Sequence, residues 1–317
     1  MIKSLVSIAA LLFAFSTIGT LGGAASAAPK GSPWGENYFP NVPLVTQDGK
    51  MVRFYDDLIK DKKVLINFIY GGCEKACPLA TAKLAQVQKL LGPRVGSDIF
   101  IYSITLDPEH DTPEALKAYA EKYGAGPGWL FLTGKREDID AVRFKLGERG
   151  EEKEEHQNIV RVGNGANGQW MRLPLFGDVN FLANEIGKTL DPNWYAGKSV
   201  ESYADAPRLA MPKEGQVLFR NRCAVCHTIG KGDLRGPDLK GVTTRRERTW
   251  LARFIADPDR MRASKDPIAI ELFAKYNKMP MPNLGLTKTE VADLISYMEA
   301  RTIALEGKEK ESPTADP

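Results

Sequence analysis

The four cysteines of this 317-residue chain come in two pairs. Residues 66–80 read INFIYGGCEKACPLA, with Cys73 and Cys77 four positions apart at the end of an apolar run. Residues 222–230 read RCAVCHTIG, with Cys223 and Cys226 three apart and His227 attached. The second spacing has a physical reason. One helical turn presents two thiols to the two vinyl groups of a porphyrin and aims the next imidazole at its iron, so Cys-x-x-Cys-His is the attachment signature of c-type haem. A zinc site would need four ligands close by in sequence, and the other two cysteines lie far upstream. A low-spin haem carrier also needs a sixth ligand, and a soft thioether keeps both iron states six-coordinate. The candidates are Met261, Met279, Met281 and Met298. Met298 falls on the apolar stripe of a helix. Met281, in the irregular MPNLGLT before that helix, is the expected ligand, with Met279 its competitor.

The first pair is less decided by spacing. At a helix start, positions four apart lie on one face, roughly 40° from each other. Cys73 and Cys77 can therefore point at one small ion, or close a disulfide, because such a pair falls inside the allowed Cα range. Thioredoxin-type exchange enzymes face their thiols with a cis-proline, and no proline occurs from Trp129 to Leu173. That stretch carries His156 instead. Two thiolates and an imidazole suit Cu(I), which is soft and accepts three ligands, and Cu(II) with a fourth donor. His110 reads as a surface residue.

The elements that must hold these residues follow from periodicity. VPLVTQDGKMVRF, within residues 40–56, reads as a hairpin about a polar turn. Buried strands are expected at 63–70, 98–107 and 128–134. Pro78 opens a helix that Gly92 stops, Thr112 caps another with Pro113 at its first position, and a third covers 136–146. Residues 158–173 read as a second hairpin and 177–189 as a helix. Strand and helix alternate, and the cysteines sit at a strand-to-helix junction, so the first domain is expected to be α/β and thioredoxin-like. Residues 191–213 are rich in Pro, Gly, Ser and Asp and read as a linker; at 5–6 Å × √n, about 20 flexible residues span roughly 25 Å. Beyond them the pattern is all helical. Helices are expected from EGQVLFRNRCAVCH, within TWLARFIADPDRM, and over 287–300, where Thr287 and Glu290 form a capping box.

The expected organisation is a signal peptide (1–27), the α/β domain (36–190), a linker (191–210), a small all-α domain (211–303) and a disordered, charged tail (304–317). Lys3, the apolar run from Leu5 to Leu21 and the small residues of AASAAPK fit a cleaved export signal, cut after Ala27. The alternative is an uncleaved N-terminal anchor. Export implies an oxidising compartment, the bacterial periplasm. A composition 43% hydrophobic and 26% charged builds real cores, and a net charge of +3 gives no reason to expect a nucleic-acid partner. Residues 208–301 hold 18 Lys and Arg against 11 Asp and Glu, about +7. That excess is either a solvated surface or a docking face for an acidic redox partner.

With those residues in view, the second domain resembles class I cytochromes c, in which a Met-Pro before the final helix supplies the axial ligand. GPDLKGV (236–242) fits the same family, and the resemblance implies that the Pro237 carbonyl accepts from His227. The first domain resembles the Sco/SenC family of copper proteins. CEKACP matches its CxxxCP, TLDPEHDTPEALKAYAEKYG (105–124) its signature, and His156 its downstream copper-binding histidine. The family usually has proline after the first cysteine, where this chain has Glu74. The resemblance implies one covalent haem c, one copper on Cys73, Cys77 and His156, and delivery of copper or reducing equivalents to the CuA subunit of cytochrome oxidase or to another respiratory redox protein. Two alternatives stay open: a metal-free thiol–disulfide oxidoreductase using Cys73 and Cys77, and a plain electron carrier whose first domain only docks.

Overall fold

The computed structural model describes residues 34–150, 152–191, 193–194 and 214–311. The segment read as an export signal and most of the segment read as a linker lie outside the described residues. None of the described helices is long and apolar enough to cross a membrane.

The first domain runs β1 (Pro43–Thr46), β2 (Met51–Arg53), β3 (Lys63–Ile69), α1 (Cys77–Leu91), β4 (Ile99–Thr105), α2 (Pro113–Tyr123), β5 (Trp129–Thr133), α3 (Arg136–Lys145), β6 (Ile159–Asn164), β7 (Gln169–Pro174) and α4 (Val179–Leu190). One sheet takes the order β2-β1-β5-β4-β3-β6-β7. Strands β3, β4 and β5 are parallel at its centre, and both hairpins add antiparallel edges. Burial explains the central strands: KVLINFI and IFIYSIT are apolar almost throughout because helices cover both faces. Residues of α1, α2 and α4 pack with Leu65 and Ile69 on one face. The β1–β2 hairpin and α3 pack with Val64, Ile66 and Phe68 on the other. Thr112 caps α2 as expected, accepting from the Ala115 amide at 3.3 Å.

The second domain comprises α5 (Glu214–Leu218), α6 (Val242–Arg245), α7 (Arg248–Ala256), α8 (Pro258–Ala263), α9 (Pro267–Lys275) and α10 (Lys288–Glu311). Gly215 lets α5 cross α10 closely, since a Cβ there would run into the Asp293 backbone carbonyl. The capping box at Thr287 and Glu290 forms in both directions, at 2.8 and 3.2 Å.

The tail requires a correction. Helix α10 continues to Glu311, through residues expected to be disordered from 304. Its buried stripe does not end at Met298: Thr302 is buried one turn on, and Leu305 packs against the same core. Helix α9 was not expected either, although Asp266 caps it with an acceptor for the Ala269 amide.

Candidate functional site

Strand β3 delivers the chain to Tyr70, and a Gly71-Gly72 turn carries it into the first cysteine. The Cys73 amide donates to the Tyr70 carbonyl at 3.1 Å, and the Cys77 amide, at the first turn of α1, donates to Cys73 Sγ at 3.4 Å. Tyr70, Cys73 and Cys77 form one small buried cluster, with both cysteines free. A hydrogen bond from the Cys77 thiol brings Cys73 down to about 5, against burial, with help from the Cys77 and Lys75 amides and the Tyr70 hydroxyl. Burial pushes Cys77 well above the usual thiol range. Of the two, Cys73 is therefore the more acidic thiol.

His156 closes the group. Its Nε2 stands 3.4 Å from Cys77 Sγ, and its Nδ1 donates to the Lys153 carbonyl at 2.8 Å. That bond places a proton on Nδ1 and turns Nε2 toward Cys77 Sγ. The run EEKEEHQNIV is charged, yet His156 is only 8% exposed. His110, by contrast, is at the surface, with its side chain 77% exposed.

Residues not read as functional from the sequence hold the three in place. Asp107 pairs with Lys153 at 2.6 Å and His110 at 2.9 Å. Although burial opposes ionisation, these partners hold its carboxyl below the usual range. Lys153 in turn offers the carbonyl that binds His156. Asp111 accepts the Gly71 amide at 2.9 Å and the Thr105 hydroxyl, which ties the cysteine turn to the end of β4. Glu148 and Arg161 form a fully buried pair at 3.0 Å, 0% and 2% exposed. Glu148 also accepts the amide of Gln157, next to His156, at 3.2 Å. Arg161 is otherwise bound to the Leu146 carbonyl at 2.9 Å and lies over the Phe68 ring.

The donor set suits a soft cation: two sulfurs and an imidazole nitrogen turned toward them. Among the described residues no three His, Cys, Asp or Glu side chains are already spaced as a metal centre. The contacts within this trio are hydrogen-bond contacts, which loading would exchange for metal–ligand bonds.

In the second domain α5 passes into a wider, π-type turn over Phe219–Cys223. The His227 and Cys226 amides both donate to the Cys223 carbonyl, at 2.9 and 3.0 Å, forming the single helical turn the spacing requires. His227 Nδ1 donates to the Pro237 carbonyl at 2.9 Å, so Nε2 is unprotonated. Desolvation also lowers its basicity, which favours the neutral ligand form. Gly236 is obligatory here, because a Cβ would lie 2.6 Å from His227 Cε1. Burial raises Cys223 to about 12 and Cys226 to about 11, so both are neutral thiols. They open, with His227, Trp250, Leu272, Met281 and Met298, onto a cavity of about 350 Å³. Apolar walls, an imidazole and thioethers fit a haem. Met298 and Met261 belong to the helical core. Met279 and Met281 both line the cavity; Met281 packs beside the helical core and Met279 against the first domain.

Residues 36–162 match the SCO1/SenC family and residues 212–302 match the cytochrome c family. The chain joins a SCO1/SenC domain to a cytochrome c domain. The SCO1 protein homolog of Bacillus subtilis is 37% identical over 101 residues, covering 31% of this chain and 51% of that protein. The SCO2-like protein RC0895 of Rickettsia conorii is 33% identical over 103 residues, covering 32% and 48%. Cytochrome c of Guizotia abyssinica is 33% identical over 112 residues, covering 32% of this chain and 98% of that protein. Among solved structures, that of a protein from Aquifex aeolicus is 27% identical, covering 51% of this chain and 98% of its own, with a TM-score of 0.42. The chain spans about half the length of the curated SCO relatives it matches.

The cytochrome c domain meets the SCO1/SenC domain through its haem loops. Val225, between the two haem cysteines, is 3% exposed and belongs to the apolar cluster of α1. Leu79, two residues past Cys77, forms part of the wall of the haem cavity. Gln86 donates to the Val225 carbonyl at 3.4 Å and Arg235 to the Tyr123 carbonyl at 2.9 Å. Arg220 pairs with Asp178 at 3.4 Å and Arg262 with Glu74 at 2.7 Å. Part of the basic excess of the cytochrome c domain is thus turned toward its own neighbour.

Proposed function

We propose that this chain is a periplasmic copper-binding and electron-transfer protein that assists delivery of copper, or of reducing equivalents, to the CuA centre of cytochrome oxidase. The observation that carries this reading is the Cys73–Cys77–His156 group at the start of α1, the helix whose next turn walls the haem cavity. Copper is the cargo, taken by two thiols and the Nε2 of His156. A haem would be held by Cys223 and Cys226, with His227 and Met281 as the side chains to reach its iron, and would supply a one-electron carrier. The Pro237 carbonyl keeps the proton on Nδ1 of His227, and Arg262 donates to the Met281 carbonyl at 3.4 Å, steadying the axial loop. The N-terminal segment is read as an export signal.

A metal-free thiol–disulfide oxidoreductase is the second reading, favoured by the acidic Cys73 thiol. Metal and haem analysis of the protein purified from the periplasm separates the two. One haem and one copper per chain are expected; haem with no copper under reducing conditions would leave the oxidoreductase. The axial ligand is tested in the same preparation. Met281→Ala should abolish the sulfur-to-iron charge-transfer band at the red end of the visible spectrum, and Met279→Ala should keep it; the reverse result would move the ligand to Met279.

Internal electron exchange is tested by rapid mixing. With the haem reduced and Cu(II) on the first domain, haem oxidation should proceed at a rate independent of protein concentration. A haem that stays reduced, or a rate that rises with concentration, would mean that the domains serve separate partners.

A further inference from the structure

Glu74 follows Cys73 directly, and its side chain is 57% exposed at the rim of the thiol site. Its carboxylate meets Arg262, 188 residues away in sequence, at 2.7 Å. Arg262 is only 10% exposed. The same guanidinium pairs with Asp259 at 2.8 Å, donates to the Met281 carbonyl at 3.4 Å and lies over the Phe273 ring. One side chain therefore touches the loop that carries the thiols and the loop that closes the haem cavity. Other contacts across the boundary are of a different kind. Those of Arg235, Lys122 and Gln86 end on backbone carbonyls, which carry no net charge. The Arg220–Asp178 pair, at 3.4 Å, lies away from both loops.

We infer that Glu74 and Arg262 are the positioning pair that seats the haem mouth of the cytochrome c domain on the thiol loop, and that electrons pass between the two sites from this seated state. The inference rests on the proposed function for its electron transfer, but the seating is a separate property of the chain. Asp259 already neutralises Arg262 within its own domain. Glu74 adds a second carboxylate that is available only when the domains are together, so it stabilises the seated form over the parted one. Both domains belong to one chain, so their contact is intramolecular and modest contact energies decide how often they are seated. A pair with one exposed partner weakens with salt.

The test uses the full haem-bearing chain. Glu74→Gln should lower the seating equilibrium about fivefold and Glu74→Lys on the order of twentyfold, because the second adds repulsion. Small-angle X-ray scattering should show the radius of gyration rising from wild type to Glu74→Gln to Glu74→Lys, and rising more steeply with salt in the wild type than in Glu74→Gln. Where internal transfer is measured, its rate should fall in the same order, with haem and copper contents unchanged. Arg262→Gln combined with Glu74→Gln should be no worse than Arg262→Gln alone, the sign of a shared contact. Unchanged scattering and rate in Glu74→Lys would overturn the inference. So would copper loss from Glu74→Gln, since Glu74 would then act on the metal. A wild-type chain that shows no internal transfer fails the proposed function, and the scattering series still decides the seating.

Discussion

The chain with both Cys73 and Cys77 changed to serine should purify with its haem intact and without copper. A serine hydroxyl is a hard, weakly acidic donor, and Cu(I) takes sulfur in preference to oxygen. Either single substitution should already remove Cu(I) binding, because a soft ion left with one sulfur and His156 loses a third of its donors. His156→Ala should weaken Cu(II) more than Cu(I), since the harder ion depends more on nitrogen. The two cysteines proposed to carry the haem, Cys223 and Cys226, lie in the other domain and have their own turn geometry. Copper titration with elemental analysis checks the expectation. Equal copper in the wild type and the double variant would rule out the site.

Replacing Glu148 with leucine should cost about 3–5 kcal/mol of stability, the order found when one partner of a buried ion pair is removed. Glu148 is fully buried and Arg161 almost so, and burial already depresses the Arg161 basicity. Without Glu148 the guanidinium keeps the Leu146 and Ile159 carbonyls but no charge partner. The double variant Glu148→Leu with Arg161→Met should recover most of the loss, because two apolar groups can fill the space of a buried pair at little net cost. It should not recover Cu(II) affinity, since the amide of Gln157 would still lack the acceptor that fixes the loop of His156. Thermal melts and copper titrations on the three proteins separate the two effects. A double variant as unstable as the single would mean that packing, not the charge, is at stake.

Local grammar made most of the fold legible. The apolar runs of β3 and β4, the Thr112 cap and the Thr287–Glu290 box all act over a few residues, and all stand where the sequence puts them. The haem turn was legible for the same reason. What holds His156 was not. Asp107 reaches Lys153 across 46 residues and Arg161 reaches Glu148 across 13, distances at which no period or spacing connects two charges. The acidic run around His156 looks like solvated surface in sequence. In the structure Asp107 anchors its lysine, and Glu148 anchors the residue after the histidine. The signature TLDPEHD could be matched to a family, yet its physical work appears only once Asp107 and Asp111 are seen bracing the two loops that carry the donors.

Helix α10 bears on where the chain can be divided. The cytochrome c match ends at residue 302, which invites a cut there when the second domain is wanted alone. Leu305 lies beyond that point, and its Cδ1 is 2.7 Å from where a Cβ on Gly230 would sit. Gly230 is three residues past His227 and holds a positive φ of 80° that suits glycine. The leucine backs the loop that leaves the haem histidine. A fragment that stops at 302 keeps Cys223, Cys226, His227 and Met281 and removes the support behind the loop that leaves His227, so a usable boundary lies past Leu305, within the last turns of α10.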